Sequence, residues 1–215
     1  MNHAIILLAG GGKRFDKKED KSLIKINDRY MCEYVLDRVL ENKNIDTITV
    51  VVNRDNIKVF AKIVSKIDSD KPINVIVGDS NYRQVSLANG FDSIKPRSDD
   101  IIITLDGDRP FVTNKLIDKS IEVAKKQGFS SACLPIYDSV INFTTYEDRK
   151  VLHLIQTPQS FVAKHFNKNY IKDKSDLISC MDWKLKTENL FPGDPLNFKI
   201  TTREDFVMAK KIILK

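Results

Sequence analysis

Ala4-Ile5-Ile6-Leu7-Leu8-Ala9-Gly10-Gly11-Gly12-Lys13-Arg14-Phe15, followed by Lys21, is the stretch on which the reading of the whole chain turns. Ala4–Leu8 is a short apolar run that suits a buried strand. The three consecutive glycines after it let backbone N–H groups approach a phosphate chain closely. Lys13, Arg14 and Lys21 add positive charge beside that turn. In open α/β sheets ligands bind beyond the carboxyl ends of strands, which is where this loop falls. Two common phosphate-binding patterns do not fit. A Walker A loop needs GxxxxGK[ST], which the residues after Lys13 do not supply. A dinucleotide fingerprint needs GxGxxG, and position 15 is Phe15.

Working outward, apolar runs alternate with amphipathic stretches. Thr47–Val52, Ile73–Val77 and Ile101–Leu105 read as further buried strands. Met31–Leu40, Asn56–Ile67, Tyr82–Phe91 and Asn114–Gln127 read as helices with apolar residues at three-to-four spacing. Gly128 suits a C-terminal stop, and Ser131–Ile136 suits a fifth strand. This rhythm predicts an α/β fold with a Rossmann-like, mostly parallel sheet and helices on both faces. It breaks at about 138–157. There Ser139–Thr145 and Val151–Ile155, joined by the charged turn Glu147-Asp148-Arg149-Lys150, read as a protruding β-arm. The arm's apolar residues need a partner surface, and a second copy of the chain is the simplest candidate. A helical stretch at Leu177–Leu185, a strand near Phe198–Thr201 and a helix at Glu204–Leu214 complete a single expected domain over 1–215.

Composition narrows the function. The chain has 215 residues, 42% hydrophobic and 30% charged, within the range of soluble globular proteins. The three cysteines, Cys32, Cys133 and Cys180, are scattered and read as reduced thiols. The apolar start is too short for a signal peptide and no apolar run is long enough to span a membrane, so a cytoplasmic protein with no membrane partner is expected. The net charge of +6 comes mostly from dispersed lysines. A nucleic-acid binder would cluster them with aromatics. The dispersed pattern fits a solvated surface and a field that draws small polyanions.

Later segments sharpen the reading. Asn81-Tyr82-Arg83-Gln84-Val85-Ser86-Leu87 resembles the "RxxSV" segment of the 2-C-methyl-D-erythritol 4-phosphate cytidylyltransferase family. Asp106-Gly107-Asp108-Arg109-Pro110-Phe111 resembles its "DAARP" segment, Thr157-Pro158-Gln159-Ser160-Phe161 its "TPQ.F" segment, and Asn197-Phe198-Lys199-Ile200-Thr201 its "NIKVT" segment. The related ribitol-5-phosphate cytidylyltransferases share most of these motifs. With the glycine loop, the motifs stand in family order from Ala4 to the last helix.

The resemblance implies an enzyme, a nucleotidyltransferase that moves a cytidylyl group from CTP to 2-C-methyl-D-erythritol 4-phosphate and releases pyrophosphate. The alternative acceptor is ribitol 5-phosphate or another polyol phosphate. Arg14, Lys21 and Lys199 are the implied catalytic cations. Leu8, Ala9, Gly10, Gly11, Gly12, Asn81 and Ser86 are the implied CTP contacts. Asp106, Arg109, Ser139, Arg149 and Thr157 are the implied acceptor contacts. Asp106 is also the implied Mg²⁺ ligand, and Arg149 would reach a neighbouring subunit from the arm of a homodimer. Arg83 reads as structural. Three departures from the family pattern stand out. Asp108 replaces a small residue, and could be either a second metal oxygen or an exposed loop charge. Asp20 replaces a proline before Lys21, which puts the loop's stiffness in question. Leu177 replaces an acid. Asp106-Gly107-Asp108 formally fits the DxD of a glycosyltransferase, but Arg109-Pro110 and the basic glycine loop have no part in that chemistry.

Overall fold

The alternation of side chains along a strand separates the core into two faces, and the first strand shows it directly. Ala4, Ile6 and Leu8 point to one side of the sheet, Ile5 and Leu7 to the other, all buried. The computed structural model describes residues 1–10, 15, 20–167, 176–177 and 185–214. In chain order its elements are β1 (Asn2–Leu8), β2 (Lys25–Ile26), β3 (Arg29–Tyr30), α1 (Met31–Glu41), β4 (Thr47–Val52), α2 (Ile57–Val64), β5 (Ile73–Val77), α3 (Arg83–Ile94), β6 (Ile101–Asp106) and α4 (Asn114–Gln127). They continue with β7 (Phe129–Pro135), β8 (Val140–Asn142), β9 (Thr145–Glu147), β10 (His153–Val162), β11 (Leu190–Pro192) and α5 (Arg203–Ile213).

The central sheet has the order β11-β7-β10-β6-β1-β4-β5. All neighbours run parallel except β10, which is antiparallel to both β6 and β7. One face packs Ala4, Ile6, Leu8, Val50 and Ile103 against α1, α2 and α4. The other packs Ile5, Leu7, Ile102 and Phe161 against Leu87 and Phe91 of α3. The expected mostly parallel sheet with helices on both faces is therefore present. Strand order reverses at β1, with β4 on one side and β6 on the other, and the carboxyl ends of β1 and β6 open side by side there. A third cluster joins Phe15, Ile26, Met31, Phe198, Ile200 and Phe206, and holds the 198–200 segment against α5.

Capping explains several helix limits. Glu33 accepts from the Tyr30 amide at 2.6 Å to start α1. Thr113 caps α4 by accepting from Leu116 N, and Gly128 ends it at φ 81°.

Three expectations are corrected. The arm hairpin is β8 against β9, turning at Phe143-Thr144, not at Glu147–Lys150. The charged residues instead form a 3₁₀ turn at Arg149–Val151, capped by Asp148. Val151–Ile155 is not the second arm strand, because His153 onward pairs with β7 in the central sheet, a long-range ladder that local pattern cannot display. Phe198–Thr201 is not a strand, and β11 at Leu190–Pro192 takes the sheet edge beside β7. The expected helix at Leu177–Leu185 lies almost wholly outside the described residues. Among the described residues, Cys32 and Cys133 are free, and burial pushes the Cys32 thiol up to about 12. No helix of the described residues is long and apolar enough to cross a membrane.

Gly78, just after β5, is a point where the fold admits no side chain. A Cβ there would lie 2.6 Å from Val51 Cγ1, 2.7 Å from Ser86 Oγ and 2.9 Å from Ala9 Cβ. We expect Gly78→Ala to destabilise the protein by about 1–3 kcal/mol, read as a lower urea midpoint with unchanged slope.

Candidate active site

At the paired ends of β1 and β6 lies a cleft of about 340 Å³. Leu8, Ala9, Gly10, Lys21, Asn81, Ser86, Asp106 and Lys199 line it, as do Arg83, Asp79 and Asp108. Residues from both ends of the chain thus meet in one cavity.

Asp106 is the hub. It closes β6 and is buried. Its Oδ1 accepts from Arg83 Nη2 at 2.8 Å and Arg83 Nε at 3.2 Å. Its Oδ2 accepts from Lys199 Nζ at 3.2 Å and Arg109 Nε at 3.3 Å. Its amide donates to the Thr157 hydroxyl at 3.1 Å. Burial alone would push this carboxyl up, but the charges of Arg83, Lys199 and Arg109 outweigh it and hold the group well below the usual range. Burial would likewise lower the Arg83 guanidinium, and Asp106 raises it instead.

Asp108 is not the exposed loop charge that the sequence permits. Its side chain is 13% exposed and paired with Lys21, itself 13% exposed. Lys21 Nζ also donates to the Ile200 carbonyl at 2.9 Å, and Lys199 Nζ lies 3.7 Å from Asp108 Oδ1. The Ile200 amide donates to the Asp108 carbonyl at 2.9 Å, which fastens the 197–201 segment to the loop after β6. Lys21, Arg83 and Lys199 face Asp79, Asp106 and Asp108 in the cleft lining, so its charges are paired from within.

Lys21 is steadied by its neighbour. Asp20 Oδ1 accepts from Ser22 N at 2.9 Å and Ser22 Oγ at 2.8 Å. Its Oδ2 accepts from Asn53 Nδ2 and Asn56 Nδ2, both at 2.7 Å. These four hydrogen bonds hold Asp20 in place beside Lys21. Burial pushes the Asp20 carboxyl up, but the bonds from Ser22, Asn53 and Asn56 outweigh it and lower the pKa.

The remaining expected residues divide. Ser86 Oγ accepts from Asp79 N at 2.9 Å and donates to Asp79 O at 2.8 Å, so its proton is spent on shaping the 79–82 loop. Asp79 Oδ1 accepts from the Asn81 and Tyr82 amides, both at 2.8 Å, and this leaves the Asn81 carboxamide on the exposed rim. A Cβ on Gly10 would meet nothing within 4 Å, so the glycine there borders open space. Arg109 is buried behind the cleft and also donates to the Asn197 carbonyl at 2.8 Å. Thr157 is buried, and its carbonyl accepts from Asn197 Nδ2 at 2.8 Å. Ser139 and Arg149 are exposed on the arm and do not line the cleft, and Arg149 Nη1 donates to the Tyr137 carbonyl. Gly11, Gly12, Lys13 and Arg14 lie outside the described residues. Sequence reasoning passed over Arg83 as a cleft residue. Its place in the first turn of α3, directly after the loop that lines the cleft, is the signal that could have found it.

Known proteins share this architecture. A profile of the family described as 2-C-methyl-D-erythritol 4-phosphate cytidylyltransferase matches residues 2–215. The enzyme of that name from Clostridium acetobutylicum is 32% identical over 229 residues, covering 100% of this chain and 98% of its own. The one from Clostridium tetani is 30% identical over 226 residues, covering 100% of this chain and 91% of its own. The crystal structure of 4-diphosphocytidyl-2C-methyl-D-erythritol synthase from Anaerococcus prevotii superposes with a TM-score of 0.79 at 26% identity, covering 100% of this chain and 96% of that one.

The Asp20 network gives a pH-dependent test. Because its folded pKa is depressed, its contribution is fully present above the ordinary aspartate value of 3.8 and is lost as pH falls through the lower folded value. Asp20→Ala should cost about 1–3 kcal/mol at neutral pH. Urea unfolding at pH 7 and pH 3 should show the gap from the parent protein shrinking at the lower pH.

Proposed function

This chain belongs to the 2-C-methyl-D-erythritol 4-phosphate cytidylyltransferase family, and from that premise we propose how its cleft performs the reaction. The enzyme transfers a cytidylyl group from CTP to 2-C-methyl-D-erythritol 4-phosphate, a step in isoprenoid precursor synthesis. A phosphate oxygen of the acceptor attacks the α-phosphorus, the bond to the bridging oxygen breaks, and pyrophosphate leaves with the electron pair. The relatives named above carry the methylerythritol name and none the ribitol name, so the ribitol 5-phosphate alternative is not carried forward. The observation that supports the site assignment most is the meeting of Lys21 and Lys199 at one floor of carboxylates beside Leu8, Ala9 and Gly10.

In this reading Lys21, Lys199 and Arg14 hold the triphosphate and the charge that grows at phosphorus. Leu8, Ala9, Gly10, Gly11 and Gly12 carry the nucleotide through their backbone. The Asn81 carboxamide faces the base, and Ser86 acts by holding the loop that presents it. Asp106 holds Lys199 at the cleft, Arg109 braces Asp106 from behind it, and Thr157 steadies Asp106. Mg²⁺ is consistent with the donors present. Asp108 Oδ1 is buried with no hydrogen bond and offers a hard carboxylate oxygen. Both oxygens of Asp106 already accept from Arg83, Lys199 and Arg109, so Asp106 would give up one of those bonds to bind the ion. Those two residues would hold the ion together with phosphate oxygens. When bound, it neutralises phosphate charge.

The arm favours a homodimer. Ile141 is 70% exposed, Phe143 99% and Tyr146 66%, an apolar surface that a lone chain leaves in water. Ser139 and Arg149 on that arm would reach the acceptor in the neighbouring subunit. The free thiols suit the cytoplasm.

With Mg²⁺, CTP and the methylerythritol phosphate, pyrophosphate release should match CTP loss one for one, and ribitol 5-phosphate should give background. Absence of turnover with the methylerythritol phosphate would sink the proposal. Lys21→Ala should lower kcat by about 10²–10³-fold while circular dichroism reports an intact fold. Light scattering should give twice the 24.6 kDa chain mass, and Phe143→Asp should shift it to one.

A further inference from the structure

A site built for phosphates is expected to offer cations alone, yet here a carboxylate stands between two of them. Lys21 Nζ pairs with Asp108 Oδ2 and spends a second proton on the Ile200 carbonyl. Lys199 divides itself between Asp106 Oδ2 at 3.2 Å and Asp108 Oδ1 at 3.7 Å. Lys21, Lys199 and Asp108 all line the cleft. The lysines assigned to the triphosphate are therefore already neutralised from within.

We propose that Asp108 is an internal stand-in for a nucleotide phosphate, and that it makes triphosphate binding conditional on a divalent cation. This rests on the nucleotidyl-transfer reading above. A phosphate oxygen reaching Lys21 has two routes. It can displace Asp108, which strips a largely buried carboxylate of its lysine. It can also share Lys21, which sets two anions within ~4 Å of each other, where partial burial strengthens their repulsion several-fold over bulk water. Either route disfavours the free triphosphate. A triphosphate carrying a divalent cation brings its own countercharge, and the Asp108 carboxylate then faces a partner of reduced negative charge. The carboxylate thus discriminates between the metal complex and the free nucleotide, and keeps both lysines paired in the substrate-free cleft. A small apolar residue at this position would do neither.

The test is equilibrium binding, independent of turnover. CTP is titrated calorimetrically into the full chain, into Asp108→Asn and into Asp108→Ala, once with excess Mg²⁺ and once with EDTA. The asparagine variant keeps the shape and a hydrogen-bond acceptor while removing the charge, and thermal melting confirms the fold of each variant. We expect metal-free CTP to bind both variants about tenfold tighter than the parent, so that the gap between the two conditions narrows. Metal-free tripolyphosphate should show the same gain, since the effect lies at the phosphates. Variants that bind metal-free CTP no tighter than the parent overturn the role of Asp108, whether or not the gap narrows through weaker binding of the metal complex, and leave the cytidylyltransferase reading standing. A parent protein that binds CTP in neither condition overturns that reading and this inference with it.

Discussion

One buried carboxylate organises the cleft of this molecule. Asp106 is taken out of water at the end of a central strand, and a buried carboxylate is tolerated only where charges and hydrogen bonds replace its hydration. The replacements come from three separate places. Arg83 arrives at the start of α3, Arg109 from the loop after β6, and Lys199 from the segment before α5. Satisfying one group therefore draws distant parts of the chain to a common point. The same requirement aligns the cations that the proposed reaction uses, so stability and function share one constraint there.

Around that hub, polar networks add to the apolar packing of Leu7, Leu8, Phe15 and Met31 in the walls. Asp20 gathers Ser22, Asn53 and Asn56 under Lys21, and so ties the loop before β2 to the start of α2. Ser86 closes the 79–82 loop on Asp79 while Gly78 lets that loop pass against Val51 and Ala9. Gln156 Nε2 donates to the Asn197 carbonyl at 3.2 Å, and Asn197 donates to Thr157, which fastens the 197–201 segment to β10. Such bonds have direction, whereas apolar contacts do not. A cleft whose residues must hold charged groups in fixed places benefits from that direction.

Parts of the fold were readable from residue order. Thr47–Val52, Ile73–Val77 and Asn114–Gln127 carry their periodicity within themselves, and their limits agree with the structure. Phe198–Thr201 misled because its apolar residues look like a strand, although they serve a cluster with α5 instead of a ladder. β10 was missed as one strand because it is exposed over its first residues and buried over the rest, so no single pattern runs its length. The arm's turn was displaced to the charged residues, since charge marks a turn locally while the pairing of His153 onward with β7 is set by residues some twenty positions earlier.

By itself, the order of amino acids determined the alternating α/β plan and the inventory of charged residues available to the cleft. These follow from local spacing and residue chemistry. Only tertiary structure decided which charges meet. Arg83 proved to be a partner of Asp106, Arg109 sits behind the cleft, and Asp108 is held by Lys21 instead of by water. The physical reason is that an ion pair's strength depends on distance and burial, and both are set by how strands and loops far apart in the chain come to lie together.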